Sequence, residues 1–148
     1  DHRILIGELV AIPKREKFLK VGDVVHFHPN VVNNEGFNLG GGYYYVPYNE
    51  ERSMIPALQH PEKGFTPLFN YLYVEQEEEK KLSVGRLDLG SLKRQRGIVR
   101  YMSEKASKEL PCKVGDEVNY RALRSFTTNV DGKDYVRLLS KDINFVYA

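Results

Sequence analysis

Leu19-Lys20-Val21-Gly22-Asp23-Val24-Val25-His26-Phe27 and Cys112-Lys113-Val114-Gly115-Asp116-Glu117-Val118-Asn119-Tyr120 read as two versions of one segment. In each, glycine permits the positive-φ or bulged turn, the aspartate can hydrogen-bond the backbone two residues on, and a strand departs at once. Working outward, a glycine followed by an apolar strand precedes each segment: Gly7-Glu8-Leu9-Val10 and Gly97-Ile98-Val99-Arg100. An aromatic strand follows each, Tyr43-Tyr44-Tyr45-Val46 and Tyr135-Val136-Arg137-Leu138. A polar turn then leads to a closing apolar stretch, Met54-Ile55-Pro56-Ala57 and Phe145-Val146-Tyr147-Ala148. Recurrence of these elements in one order at nearly constant spacing means that the chain is two copies of one unit.

The remaining apolar residues also fall in short runs rich in β-branched and aromatic members: Ile4-Leu5-Ile6, Leu9 to Ile12, Val24 to Phe27, Tyr71 to Val74, Ile98-Val99 and Tyr135 to Leu139. Gly and Pro punctuate them, so the class is all-β with many turns. No stretch holds a 3.6-residue apolar period for three turns; Glu75 to Leu82 and Ser103 to Leu110 are the best helical candidates, both short. Val24, Val118, Leu138 and Val146 are the expected core positions.

Twenty-two Lys and Arg against twenty Asp and Glu leave a formal charge of +2 on 148 residues. That balance argues against a nucleic-acid partner. The apolar fraction of 41% supports a core, while two units of about 70 residues are small enough that mutual packing or oligomerisation is expected. No apolar run is long enough for a membrane span and no secretory leader is visible, so a soluble, cytoplasmic protein is the expectation. Cys112 stands alone, which excludes an internal disulfide, and it reads as a small buried hydrophobe.

The second copy closely resembles the GroES-type co-chaperonins. Pro67-Leu68-Phe69-Asn70-Tyr71-Leu72-Tyr73-Val74 stands where that family opens, Arg96-Gly97-Ile98-Val99 where it resumes after a long mobile loop, and Lys113-Val114-Gly115-Asp116 at its characteristic turn. The hairpin through Val130-Asp131-Gly132-Lys133 and the ending Leu139-Ser140-Lys141-Asp142-Ile143-Asn144-Phe145-Val146 complete the pattern. The first copy is similar to the same family over Asp1 to Ile6, but Gly7 follows where the family has its loop. Either that loop is absent, or a segment between Ile6 and Gly7 is missing from the sequence. The resemblance implies two tandem small irregular GroES-like β-barrels, 1–60 and 64–148, the second carrying a long loop over 75–96. It further implies self-association into a ring and docking of that ring on a chaperonin, whose ATP cycle drives assisted protein folding, with no cofactor on this chain.

Twenty-two residues separate Val74 from Gly97, far beyond the usual connection of about 4 to 6. Glu75 to Lys81 is a charged stem. Beyond it Leu82-Ser83-Val84-Gly85-Arg86-Leu87-Asp88-Leu89-Gly90 is an apolar island between glycines, matching by position the family's chaperonin-binding tip. Val84, Gly85, Leu87, Asp88 and Leu89 are therefore the candidate docking residues; Asp88 departs from the continuous apolar trio of the family. The competing reading is that Leu87 and Leu89 pin the loop to its own barrel. Two buried leucines supply roughly 3 to 6 kcal/mol, and ordering each loop residue costs about 1 to 2 kcal/mol, so one tip binds weakly and a ring of tips is needed for avidity.

Gly40 and Gly41 in the first copy, and Asp131 and Gly132 in the second, fall where the family builds its roof hairpin. Asn38 to Gly42 lacks the Lys-Ser/Thr and the helix of a phosphate loop. His26 and His28 lie two apart on a strand, but no third metal ligand is evident. Lys93 to Arg96 reads as a soluble loop base, and nothing suggests an enzyme's nucleophile or acid–base pair. The alternative to a co-chaperonin is a GroES-like barrel used as a structural or ring-adaptor module without chaperonin binding.

Overall fold

The structure, a computed structural model, describes residues 5–16, 18–47, 54–77, 83–84, 87–88, 95–121 and 126–148. Antiparallel sheet dominates them, as expected for an all-β chain. Two compact units emerge, one ending at Phe69 and the other running from Asn70 to Ala148. The sequence suggested a division between 60 and 64; the segment Gly64–Pro67 instead pairs as a strand with Ala57–His60 and belongs to the first unit.

The first unit holds β1 (Ile6–Glu8), β2 (Val24–His26), a short helix α1 (Asn30–Asn33), a 3-10 turn, a hairpin of β3 (Asn38–Gly40) and β4 (Tyr43–Tyr44), then β5 (Ala57–His60) and β6 (Gly64–Pro67). Its main sheet has the order β1-β2-β5-β6. Leu19, Val25, Ile55, Leu58 and Leu68 form the core, with Leu9, Val46 and Phe69 packed at its margin. Leu9 to Ile12, expected as a strand, is irregular.

The second unit contains β7 (Tyr71–Gln76), the two-residue strands β8 (Ser83–Val84) and β9 (Leu87–Asp88), β10 (Arg96–Met102), helix α2 (Glu104–Glu109), β11 (Glu117–Tyr120), β12 (Phe126–Val130), β13 (Lys133–Leu139) and β14 (Ile143–Val146). Its sheet has the order β12-β13-β7-β10-β11-β14. Leu72, Val74, Val99, Cys112, Val118, Tyr120, Val136 and Leu138 make the core. Ser103 caps α2 by accepting the Ala106 N–H at 3.1 Å, and the helix stops before Pro111. The other helical candidate begins as strand, because Glu75 and Gln76 pair with Ile98 and Gly97.

Three strands of each unit repeat in register. Gly7 faces Val25, which faces Leu58; Gly97 faces Val118, which faces Val146. The turn before the middle strand repeats bond for bond. Gly22 N–H donates to Leu9 O at 2.7 Å and Leu9 N–H to Asp23 O at 2.8 Å; Gly115 N–H donates to Val99 O at 2.8 Å and Val99 N–H to Asp116 O at 2.9 Å. Asp23 accepts the Lys20 N–H at 2.8 Å and Asp116 the Lys113 N–H at 3.0 Å, the carboxylates reaching back three residues instead of two residues on. The two glycines have φ of 95° and 98°, a conformation that costs any other L-residue strain. Leu19 and Cys112 hold equivalent buried places ahead of the turn.

That register corrects one core expectation. Val24 is 36% exposed and Val25 only 2%, while Val118 and Leu138 are buried as expected. A strand turns alternate residues to opposite faces, and Val25, not Val24, is the partner of Val118 in the repeat. Val146 is half-buried because β14 lies at the edge of the sheet, with β11 as its ladder partner among the described residues.

Candidate docking loop and hairpins

The long segment of the second unit leaves β7 and returns on β10, which are direct neighbours in the sheet. Gln76 faces Gly97, and Glu77 N–H donates to Arg96 O at 3.0 Å, so the chain departs and re-enters side by side. Charges secure both stems. Arg96 bonds the Glu117 carboxylate, lies 3.3 Å from Glu77 Oε2, and lays its guanidinium 3.9 Å over the Tyr147 ring. Glu75 takes Arg100 and Lys133 at 2.7 Å each. Lys133 first and Arg100 second hold the Glu75 carboxyl below its ordinary range, and Arg96 does the same for Glu117. Arg96, which the sequence suggested was a solvated loop base, is thus a tied residue.

Within the segment Ser83 pairs with Asp88 and Val84 with Leu87, so β8 and β9 form a small antiparallel hairpin. Three of the five candidate docking residues, Val84, Leu87 and Asp88, belong to it; Gly85 and Leu89 lie outside the described residues. The hairpin was not anticipated, although a Gly-x pair between two apolar residues, as in Val84-Gly85-Arg86-Leu87, is a recognised hairpin signal. In the first unit the chain passes through Ile6 and Gly7 as consecutive members of β1, facing His26 and Val25.

The other candidates occupy two hairpin turns. Gly40, with φ of 85°, ends β3 opposite Tyr43, and Gly41, with φ of 64°, begins the two-residue turn into β4; Asn38 Oδ1 accepts the Gly40 N–H at 2.9 Å. Asp131 and Gly132, with φ of 51° and 85°, connect β12 to β13. Positive φ at both central residues is the type I′ geometry that matches strand twist. Asn129 supports it by accepting the Gly132 N–H at 3.1 Å. The first hairpin carries Leu39, Tyr43 and Tyr45 at 67%, 56% and 57% exposure. An uncharged surface of this kind was not foreseen, since the tyrosines read as an ordinary sheet strand.

His26 ends β2 and is buried against Phe65, with ring centroids 4.8 Å apart. His28 lies beyond the strand and its Nδ1 accepts the Asn30 N–H at 3.1 Å. They do not form a matched pair on one strand face. Among the described residues no group of three or more His, Cys, Asp or Glu is placed to hold a metal ion, and no helix is long and apolar enough to cross a membrane.

No known family model matches this chain, and a search of curated proteins finds no relative. The resemblance to GroES-type co-chaperonins rests on the sequence motifs quoted above.

Proposed function

We propose that this protein is a co-chaperonin: a ring-forming cap whose loop tips dock on a chaperonin and assist its ATP-dependent folding cycle. The observation that carries the reading is the long segment between Glu77 and Arg96, hung from two adjacent and charge-clamped strands with a small apolar hairpin at Ser83 to Asp88. A single small apolar tip binds weakly by itself, so several tips on a self-associated ring supply the avidity. The repeated turn and the glycine-bearing hairpins of both units support the tandem, GroES-like reading. The roof role is assigned to Gly40, Gly41, Asp131 and Gly132, and the docking role to Val84, Gly85, Leu87, Asp88 and Leu89. The acidic Asp88 inside the tip predicts a partner groove with a cationic or hydrogen-bonding group at that place.

Native mass spectrometry of the protein, alone and with a chaperonin and ATP, tests this directly. Oligomers of the free chain, and a nucleotide-dependent complex with the chaperonin ring, are the expected result. Oligomers that never bind a chaperonin would replace this reading with the structural or ring-adaptor module.

A further inference from the structure

We propose that the turn joining β5 to β6 in the first unit is a pH-sensitive latch keyed by His60. The imidazole Nδ1 accepts two backbone donors at once, the Glu62 N–H at 3.1 Å and the Lys63 N–H at 3.0 Å. An imidazole can do this only while Nδ1 carries a lone pair, which is the neutral form with its proton on Nε2. Protonation turns Nδ1 into a donor facing two donors, and both bonds are lost. Histidine is the side chain that ordinarily changes charge between about pH 5 and 8, so the latch opens on mild acidification.

Among the described residues the charged groups of the His60 turn are Glu62 and Lys63, and Asp23, which precedes the β2 residue facing Gln59, has its carboxylate engaged by the Lys20 N–H at 2.8 Å. On β2 the residue facing Gln59 is Val24, and β6 contributes Gly64, Phe65, Thr66 and Pro67, none of them titratable. The consequence reaches beyond the turn. His60 faces Gly64 in the pair that closes the hairpin, and β6 has β5 as its sole ladder partner. The next residue, Phe65, is buried and meets the His26 ring. Release of the turn therefore frees an edge strand that covers part of the first unit's core. The chain's four histidines are His2, His26, His28 and His60, so none lies between Asn70 and Ala148. This latch does not depend on the co-chaperonin reading.

Asparagine at this position keeps an acceptor that does not titrate. Asn38 and Asn129 already use Oδ1 in this way, accepting from Gly40 at 2.9 Å and Gly132 at 3.1 Å. The experiment is amide hydrogen exchange by NMR on the full chain, corrected for intrinsic rates, at about pH 7.5 and about pH 5. In the wild type, protection of the Glu62 and Lys63 amides is expected to fall about tenfold at the lower pH, the loss of two neutral hydrogen bonds. His60→Asn is expected to hold its protection at both values, and His60→Ala to lack it at both. Parallel loss in the wild type and His60→Asn overturns the proposal. Should either variant fail to fold, the wild type decides alone: the Glu62 and Lys63 amide shifts must titrate with the same midpoint as the His60 ring, and a mismatch overturns it.

Discussion

At Gly97 a Cβ atom would stand 2.5 Å from Glu75 O and from Val74 Cγ1, so Gly97→Ala must push β10 away from β7. Forcing a methyl into such a contact costs about 1 to 3 kcal/mol or more. At Gly115 the difficulty is different: nothing lies within 4 Å, but φ is 98°, and an L-residue there loses about 1 to 2 kcal/mol. Urea denaturation of the two variants should show Gly97→Ala as the more damaged, and equal or reversed effects would contradict the close approach of the strands. Tyr120 offers a second residue-scale check. Burial pushes its hydroxyl from 10.0 up to about 12. A group whose folded value is raised stabilises the fold below its unfolded value and loses that contribution as pH rises, here from 10.0 to about 12. Stability of the wild type should therefore fall more steeply over that window than that of Tyr120→Phe, as followed by circular dichroism; parallel curves would refute it. At this scale the glycine-aspartate turns were legible because their causes are local. The choice between Val24 and Val25 was not, since both are valines and only the register with Gly7 and Leu58 separates them. Arg137 was also illegible: its burial depends on Tyr73, which bonds it, and on Tyr71, whose ring lies 5.8 Å away, both from another strand.

The strands β7 and β10 form the element on which the candidate site depends. Glu75 on β7, and Glu117 on β11 beside Arg96 of β10, are both held below the ordinary glutamate value of 4.5 by basic partners. Lowered carboxyl values mean stability that is present above 4.5 and lost as pH falls below it, so the stems should loosen in acid. Amide protection at Glu77 and Gly97, corrected for intrinsic exchange rates, is the readout, with a fall expected on acidification and a smaller fall in Glu75→Gln, which keeps the Arg96–Glu117 pair. An unchanged wild type would show that these exposed pairs do not hold the loop base. Short strands and glycine hairpins were legible as elements, because alternation and turn chemistry act over a few residues. The pairing of Gly64–Pro67 with β5 was not, since Pro67-Leu68 reads equally well as the opening of the next copy. The β8–β9 hairpin escaped notice because its strands are only two residues long, too short for an alternating pattern to register.

For the molecule as a whole, the two units repeat a three-strand pattern and a hydrogen-bonded turn, and the second adds a long clamped segment with a small hairpin. The most direct measurement is ATP-dependent co-sedimentation of the wild type and the Leu87→Ala, Leu89→Ala double variant with a chaperonin ring, with thermal unfolding recorded alongside. Each leucine buried on docking contributes about 1.5 to 3 kcal/mol, and multiplication around a ring makes the combined loss decisive. The wild type should sediment with the chaperonin in the presence of ATP, and the double variant should fold with an unchanged melting temperature yet remain in the supernatant. Undiminished binding by the folded double variant would contradict the assignment of this loop as the docking element, and a wild type that binds no chaperonin would contradict the function itself.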